Sequence, residues 1–254
     1  MTIERRPRHI LVTGASRGIG RATAERLVAS GDTVTVLARS QDGAEQVRAE
    51  LGAAVVVAAD VTDASALEEA LGTAAKRSDP IHVLVNNAGG AETALVSRLD
   101  VDQLRRMMAL NVEPVLNAIR SVLPAMKEHG FGRIVTIAST AGLKGYPYVG
   151  AYCAAKHAVV GLTRALAQEL APTGVTVNAV CPGYTDTDLV SGSLDRLEQK
   201  TGRARADLLA EFTGANPLVR LIRPDEVADC VRWLAGAGAS SITGQAIAVV
   251  GGEL

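Results

Sequence analysis

The chain has 254 residues, and only one Trp, four Tyr and two Phe are aromatic, 3% of the total. A core so poor in rings must be built from Val, Leu, Ile and Ala on closely packed helices and strands. Trp233 falls in a helix-like stretch and reads as a packing residue. Cysteine is scarce as well: Cys153, Cys181 and Cys230 are too few and too scattered for a disulfide framework or a zinc cluster. No excess of one charge exists, because 26 Lys and Arg face 27 Asp and Glu for a net charge of −1. That balance gives no electrostatic case for nucleic acid or an anionic membrane as partner. No apolar run is long enough to cross a bilayer. The start, MTIERRPRHILVTG, is basic and then strand-like, without the apolar stretch of a signal peptide. A cytoplasmic protein is expected. Disorder is excluded, since 48% of the residues are hydrophobic and the net charge is low.

Against these absences stands a regular alternation of short β-branched runs and longer helical stretches. Strands are expected at 9–13 (HILVT), 33–38 (TVTVLA), 54–59 (AVVVAA), 82–86 (HVLVN), 133–138 (RIVTIA), 175–180 (VTVNAV) and 246–250. Helices are expected at 18–30, 42–51, 64–76 and 151–171, with one long helical region from 100 to 129. Strands that are apolar throughout, each followed by a helix, imply a parallel sheet covered on both faces. The fold class is therefore α/β: a doubly wound, seven-stranded parallel sheet of the Rossmann kind. No Pro/Gly/Ser-rich linker cuts the chain, so residues 1–254 read as one catalytic domain. Residues 185–220 are polar, helical in pattern and interrupted by Gly192, Gly202 and Gly214. An insertion after the sixth strand lies over the carboxyl ends of the strands, and it reads as a substrate lid.

The first strand runs into Thr13-Gly14-Ala15-Ser16-Arg17-Gly18-Ile19-Gly20. Gly14 permits a tight turn, and Gly18 and Gly20 let backbone and helix approach a phosphate closely. The helix N-terminus then offers free N–H groups to a pyrophosphate. At the end of the second strand a carboxylate would hold the ribose 2′-hydroxyl of NAD. This chain has Ala38-Arg39-Ser40 there. Arg39, with Arg17 from the glycine turn, suits the 2′-phosphate of NADP(H), although both arginines also fit a solvated surface. Asp60-Val61 ends the third strand, where it meets an adenine amino group or caps a helix.

Further along come Asn86-Asn87-Ala88-Gly89, Asn111, Ser139, and then Tyr152 and Lys156, four residues apart on one helical face. A phenol with a pKa near ~10 is a poor proton donor or acceptor at neutral pH. A lysine ammonium one turn away favours the phenolate and lowers that pKa, and a serine hydroxyl can hold the substrate oxygen. These motifs in this order, with Pro182-Gly183 after the sixth strand, resemble the short-chain dehydrogenase/reductase family over essentially the whole chain. The resemblance implies roles. Tyr152 exchanges the proton with the carbonyl oxygen, and Ser139 orients that oxygen. Lys156 binds the nicotinamide ribose, and Asn111 holds a water that links Lys156 to solvent. Gly14, Ser16, Arg17, Gly18, Ile19, Gly20, Arg39, Asp60, Val61, Asn87, Ala88, Gly89, Pro182, Gly183, Thr185 and Thr187 line the dinucleotide. No metal is needed, because polarisation comes from hydroxyl groups and the hydride from the cofactor.

Substrate information is thinner. Gly90, Ala91, Glu92, Leu143, Lys144, Tyr146, Val149 and Tyr184 are candidate pocket residues. The lid and the segment YCAAKHAVVG are similar to those of reductases and dehydrogenases of 3-oxoacyl and hydroxyacyl thioesters. Lys144, Arg196, Lys200, Arg203 and Arg205 could meet a CoA phosphate or a carrier-protein surface, though a solvated basic face is the simpler reading. The leading expectation is an NADP(H)-dependent ketoreductase of a 3-oxoacyl thioester. The alternatives are an NAD-dependent dehydrogenase of a secondary alcohol or hydroxy acid, and a non-catalytic dinucleotide sensor. The family resemblance also implies a homotetramer built through the long helices and the last strand.

Overall fold

The computed structural model describes residues 7–51, 55–214 and 216–254. The first six residues of the basic start and Ala54, the expected first residue of the third strand, lie outside the described residues. In chain order the elements are β1 (His9–Thr13), α1 (Gly18–Ala29), β2 (Thr33–Ala38), α2 (Gln41–Leu51), β3 (Val56–Ala58), α3 (Ala64–Arg77) and β4 (Val83–Asn86). There follow α4 (Val101–Asn111), α5 (Glu113–Glu128), β5 (Gly132–Ile137), α6 (Gly150–Leu170) and β6 (Val175–Pro182). The chain then continues through α7 (Asp188–Thr201), α8 (Arg205–Gly214), α9 (Pro224–Ala235) and β7 (Ala246–Val249). The seven strands form one parallel sheet in the order β3-β2-β1-β4-β5-β6-β7. The order reverses between β1 and β4, which places a crevice at their carboxyl ends.

The two-residue period of the strands sorts their side chains into two layers. Ile10, Val12, Val34, Val36, Val83 and Val85 point to one face, where they meet Leu27 of α1, Val47 of α2 and Val227 and Val231 of α9. Leu11, Leu37, Leu84 and Ile134 point to the other, against Leu71 of α3, Ile119 and Met126 of α5 and Leu170 of α6. Burial of each such side chain contributes roughly 1.5–3 kcal/mol. Both faces are covered, and this is why the strands read as unbroken apolar runs.

Three expectations need correction. The helical region from 100 to 129 is two helices that part at Val112. Pro114 causes the break: it has no N–H for the Leu110 carbonyl, and its ring crowds that oxygen. Next, α9 was not foreseen apart from the helix-like setting of Trp233, yet it packs along α1 and closes one layer of the core. Last, β6 runs on to Pro182, whose missing N–H costs nothing at the end of the strand. Residues 185–220 contain α7 and α8, and Gly202 ends α7 with φ of 66°, in the left-handed region that favours glycine. Among the described residues no helix is long and apolar enough to cross a membrane.

Candidate active site

The glycine turn is folded against the end of β4. Asn87 Nδ2 donates to the carbonyl oxygens of Thr13 and Gly14, each at 3.0 Å. Thr13 Oγ1 accepts from the N–H groups of Asn87 (2.9 Å) and Ala88 (3.1 Å). Gly14 and Gly18 have φ of 64° and 56°, and a Cβ on Gly14 would stand 2.9 Å from the Ala88 Cα. A Cβ on Gly20 would stand 2.3 Å from Asn87 Nδ2. The first turn of α1 has no acidic residue, and its N-cap residue, Arg17, makes no side-chain cap. Its leading N–H groups are therefore left for an anion. Glycines in close approach to backbone, with a helix start that has no side-chain cap and no acid in its first turn, fit a dinucleotide pyrophosphate.

Ser16, Arg17 and Arg39 are exposed. Arg17 Nη1 lies 3.3 Å from Asp188 at the start of α7, an exposed pair of little energetic weight. Asp60 Oδ1 accepts from the Thr62 N–H (2.9 Å) and hydroxyl (2.7 Å). Those bonds, with a smaller contribution from the Arg39 charge, hold its carboxyl below the usual range. The cap of α3 is Asp63, which accepts from the Ser65 and Ala66 N–H groups, so Asp60 is not the capping carboxylate. Val61 beside it is buried, and Ile19 packs partly against the core.

Ser139 follows β5, and it lies close enough to the Tyr152 phenol to favour the phenolate. Burial pushes the phenol up to about 12, and Ser139 pulls the other way. The net direction is upward in the free protein, because desolvation outweighs the effect of Ser139. Lys156 is fully enclosed, and burial brings its ammonium down to about 8. Its Nζ donates to the Ile137 carbonyl at 2.9 Å and lies 5.7 Å from the centre of the Tyr152 ring. Gly142 lets the chain after Ser139 lie directly on α6, since a Cβ there would meet the Lys156 carbonyl oxygen at 2.7 Å.

Asn111, at the break between α4 and α5, is 1% exposed. Its Nδ2 donates to the carbonyls of Gly90 (3.0 Å) and Met107 (3.1 Å), and its Oδ1 accepts from the Gly90 N–H at 3.3 Å. A Cβ on Gly89 would fall 2.7 Å from Asn111 Oδ1 and 3.7 Å from Lys156 Nζ. Asn111, Gly89 and Lys156 are thus neighbours at one point.

After β6, the Gly183 N–H donates to Val249 of β7 at 3.1 Å, and Thr185 Oγ1 donates back to the Gly183 carbonyl at 3.0 Å. Thr187 approaches the glycine turn, its Cγ2 standing 3.2 Å from where a Gly18 Cβ would be. The aromatics gather at the opening. Tyr146 meets Tyr184 edge-on at 6.2 Å, and Tyr184 stacks on Phe212 of α8 at 4.5 Å. Of the basic residues considered for a phosphate, Arg203 pairs with Glu211 (2.5 Å), Arg205 with Asp195, and Lys144 with Glu253 (2.9 Å). Sequence reasoning missed Glu253, which lies beyond the last strand in a stretch without a motif, and gave Thr13 and Phe212 no role beyond the glycine motif and the lid.

The short chain dehydrogenase family model matches residues 8–197. The chain is 40% identical over 248 residues to a 3-oxoacyl-acyl-carrier-protein reductase of Synechocystis sp., with 95% of each chain covered. It is 34% identical over 251 residues to a D-beta-hydroxybutyrate dehydrogenase of Rhizobium meliloti, covering 95% of this chain and 96% of that one. Among solved structures, a variant of actinorhodin polyketide ketoreductase with NADPH superposes with a TM-score of 0.93 at 37% identity, and 97% of each chain is covered.

Proposed function

The chain belongs to the short chain dehydrogenase family, and from that premise we propose that it is an NADP(H)-dependent ketoreductase, acting on a 3-oxoacyl thioester and running also in reverse. The observation that carries this reading is the buried Tyr152 phenol beside Ser139 and one helical turn from a buried Lys156, with an uncapped helix start after the glycine turn. Bound against that turn, the dinucleotide supplies the hydride. Gly14, Ser16, Arg17, Gly18, Ile19 and Gly20 would hold its pyrophosphate, Asp60 and Val61 its adenine. Asn87, Ala88, Gly89, Pro182, Gly183, Thr185 and Thr187 would flank its nicotinamide half. Arg39, with no carboxylate at the end of β2, favours the 2′-phosphate.

In reduction, the Tyr152 hydroxyl gives its proton to the carbonyl oxygen as the carbonyl carbon gains the hydride. A phenol held up at about 12 stays protonated at neutral pH, as a proton donor must. Ser139 hydrogen-bonds the same oxygen and fixes its direction. Lys156 holds a positive charge beneath the phenolate that forms, and a proton taken up from solvent beside Asn111 and relayed through Lys156 restores the phenol.

The reading extends to the whole chain as one catalytic domain, with residues 185–220 as a substrate lid. Leu95, Val96, Val101, Leu104 and Leu116 leave apolar side chains exposed before and along α4 and α5. That stripe supports association with further copies into a homotetramer. Three unpaired thiols fit a reducing compartment such as the cytoplasm. The test is consumption of NADPH and of NADH by the purified protein with acetoacetyl-CoA. Fast turnover with NADPH alone supports both cofactor and substrate class. Preference for NADH refutes the role of Arg39, and no turnover with either refutes the thioester.

A further inference from the structure

Glu253 lies beyond β7, yet its side chain is only 3% exposed and reaches the catalytic cleft. The chain turns back after β7 on two left-handed glycines, Gly251 (φ 61°) and Gly252 (φ 95°). These pack on Asn216 and Pro217 at the exit of the lid, where a Cβ would fall 2.2 Å and 3.2 Å from the nearest side-chain atoms. Glu253 Oε1 then accepts from Lys144 Nζ at 2.9 Å and from the Tyr146 hydroxyl at 2.5 Å. Its Oε2 lies 3.2 Å from where a Gly183 Cβ would be. Tyr146 also lies near Thr140, the residue next to Ser139. One carboxylate therefore sits between the loop after β6 and the loop that joins Ser139 to Tyr152.

We propose that the Glu253–Lys144 ion pair makes this wall of the cleft electrically neutral and thereby sets the substrate class: esters and thioesters of 3-oxo acids are accepted over the free oxo acids. The inference rests on the ketone-reducing reading. Family likeness alone leaves the substrate's charge open, because one relative is named for a thioester and another for a hydroxy acid.

A free oxo acid carries a carboxylate within a few bonds of the ketone, and that anion needs a cation to replace its water. Lys144 is the cation of this wall, and Glu253 already occupies it. Lys156 is enclosed beneath the phenol and donates to the Ile137 carbonyl. An incoming carboxylate would also meet Glu253 itself, and two like charges at close range in a partly dry cleft are disfavoured. A neutral ester or thioester meets neither penalty, and the Tyr146–Tyr184–Phe212 rings offer it an apolar surface.

The experiment compares ethyl acetoacetate with acetoacetate, each with NADPH, in the wild type, Glu253→Gln, Lys144→Gln and the double variant. The wild type should favour the ester in kcat/KM. Glu253→Gln frees the Lys144 charge and should raise the acetoacetate-to-ester ratio about tenfold. Lys144→Gln should lower that ratio, and the double variant should return to the wild-type value. A purely structural role for Glu253 lowers both substrates together, and an unchanged ratio in both single variants overturns the proposal. Saturation-transfer NMR with the same two compounds reads binding whatever the turnover. A wild type that reduces neither compound refutes the 3-oxo ester and thioester reading. The charge inference still stands if the ester binds the wild type and acetoacetate binds Glu253→Gln, and it falls if the two bind both proteins alike or not at all.

Discussion

Asn87 Nδ2 lies 3.0 Å from the carbonyl oxygens of both Thr13 and Gly14, so one amide ties the end of β4 to the glycine turn after β1. The tie crosses the point where the strand order reverses, and it holds both walls of the nucleotide crevice at a fixed spacing. Asn87→Ala leaves both carbonyls without that donor. Stability should fall by about 1–3 kcal/mol, and NADPH should bind more weakly. Urea unfolding and quenching of protein fluorescence by NADPH check this. Unchanged affinity would show that the turn keeps its shape alone.

Tyr152→Phe removes the proposed proton donor and keeps the ring. Turnover should drop by about two to four orders of magnitude, while NADPH affinity and the melting temperature stay close to the wild type. Residual activity near wild type would refute the role assigned to Tyr152.

The two directions of the reaction should differ in pH dependence. Reduction needs the phenol, which burial holds at about 12, so its rate should be level through neutral pH. Oxidation of the alcohol needs the phenolate and should rise about tenfold per pH unit below that value. Initial rates from pH 6 to 10 in both directions decide it. Oxidation that is flat over this range would mean that another group takes the proton.

Acid should weaken the opposite end of the sheet. His9 is buried; its Nε2 lies 2.8 Å from Thr35 Oγ1, its Nδ1 meets the Asp79 carbonyl, and its backbone N–H donates to His82 Nδ1 at 3.1 Å. Burial lowers the pKa of both His9 and His82. The charged groups around them are Asp79, His129 and Arg8, with Arg133 beyond Phe131. A histidine lowered in the folded state takes its proton first in the unfolded chain. Stability is therefore whole above about pH 6.5 and declines as pH falls below it. The denaturant midpoint should drop between pH 7.5 and 5.5, and His9→Asn should flatten that slope. An equal slope in the variant would assign the effect to other groups.

The sheet was legible because strands buried on both faces leave runs such as HILVT and TVTVLA that need no partner to be recognised. The glycine turn and the Tyr152/Lys156 spacing were legible because their chemistry depends on local backbone and a single helical turn. The break at Val112 was missed because the apolar pattern continues across it and only Pro114 interrupts the hydrogen bonds. The place of Glu253 was not legible at all. Its contacts with Lys144 and Tyr146 span more than a hundred residues and depend on where β7 ends. The rise of the Tyr152 phenol in the free protein was not legible for a related reason: sequence shows which charge is near, and only packing shows how much water is lost.

The scarcity of rings has an optical consequence. Trp233 is the only tryptophan, and it stands half-exposed on α9, which packs along α1. Indole emission therefore reports the layer that carries the glycine turn. Tyr146, Tyr152 and Tyr184, grouped around the cleft, dominate any near-ultraviolet dichroism from the opposite side of the crevice. The protein carries two native reporters, one for each wall, and a comparison of their melting curves shows without any label whether the walls come apart together.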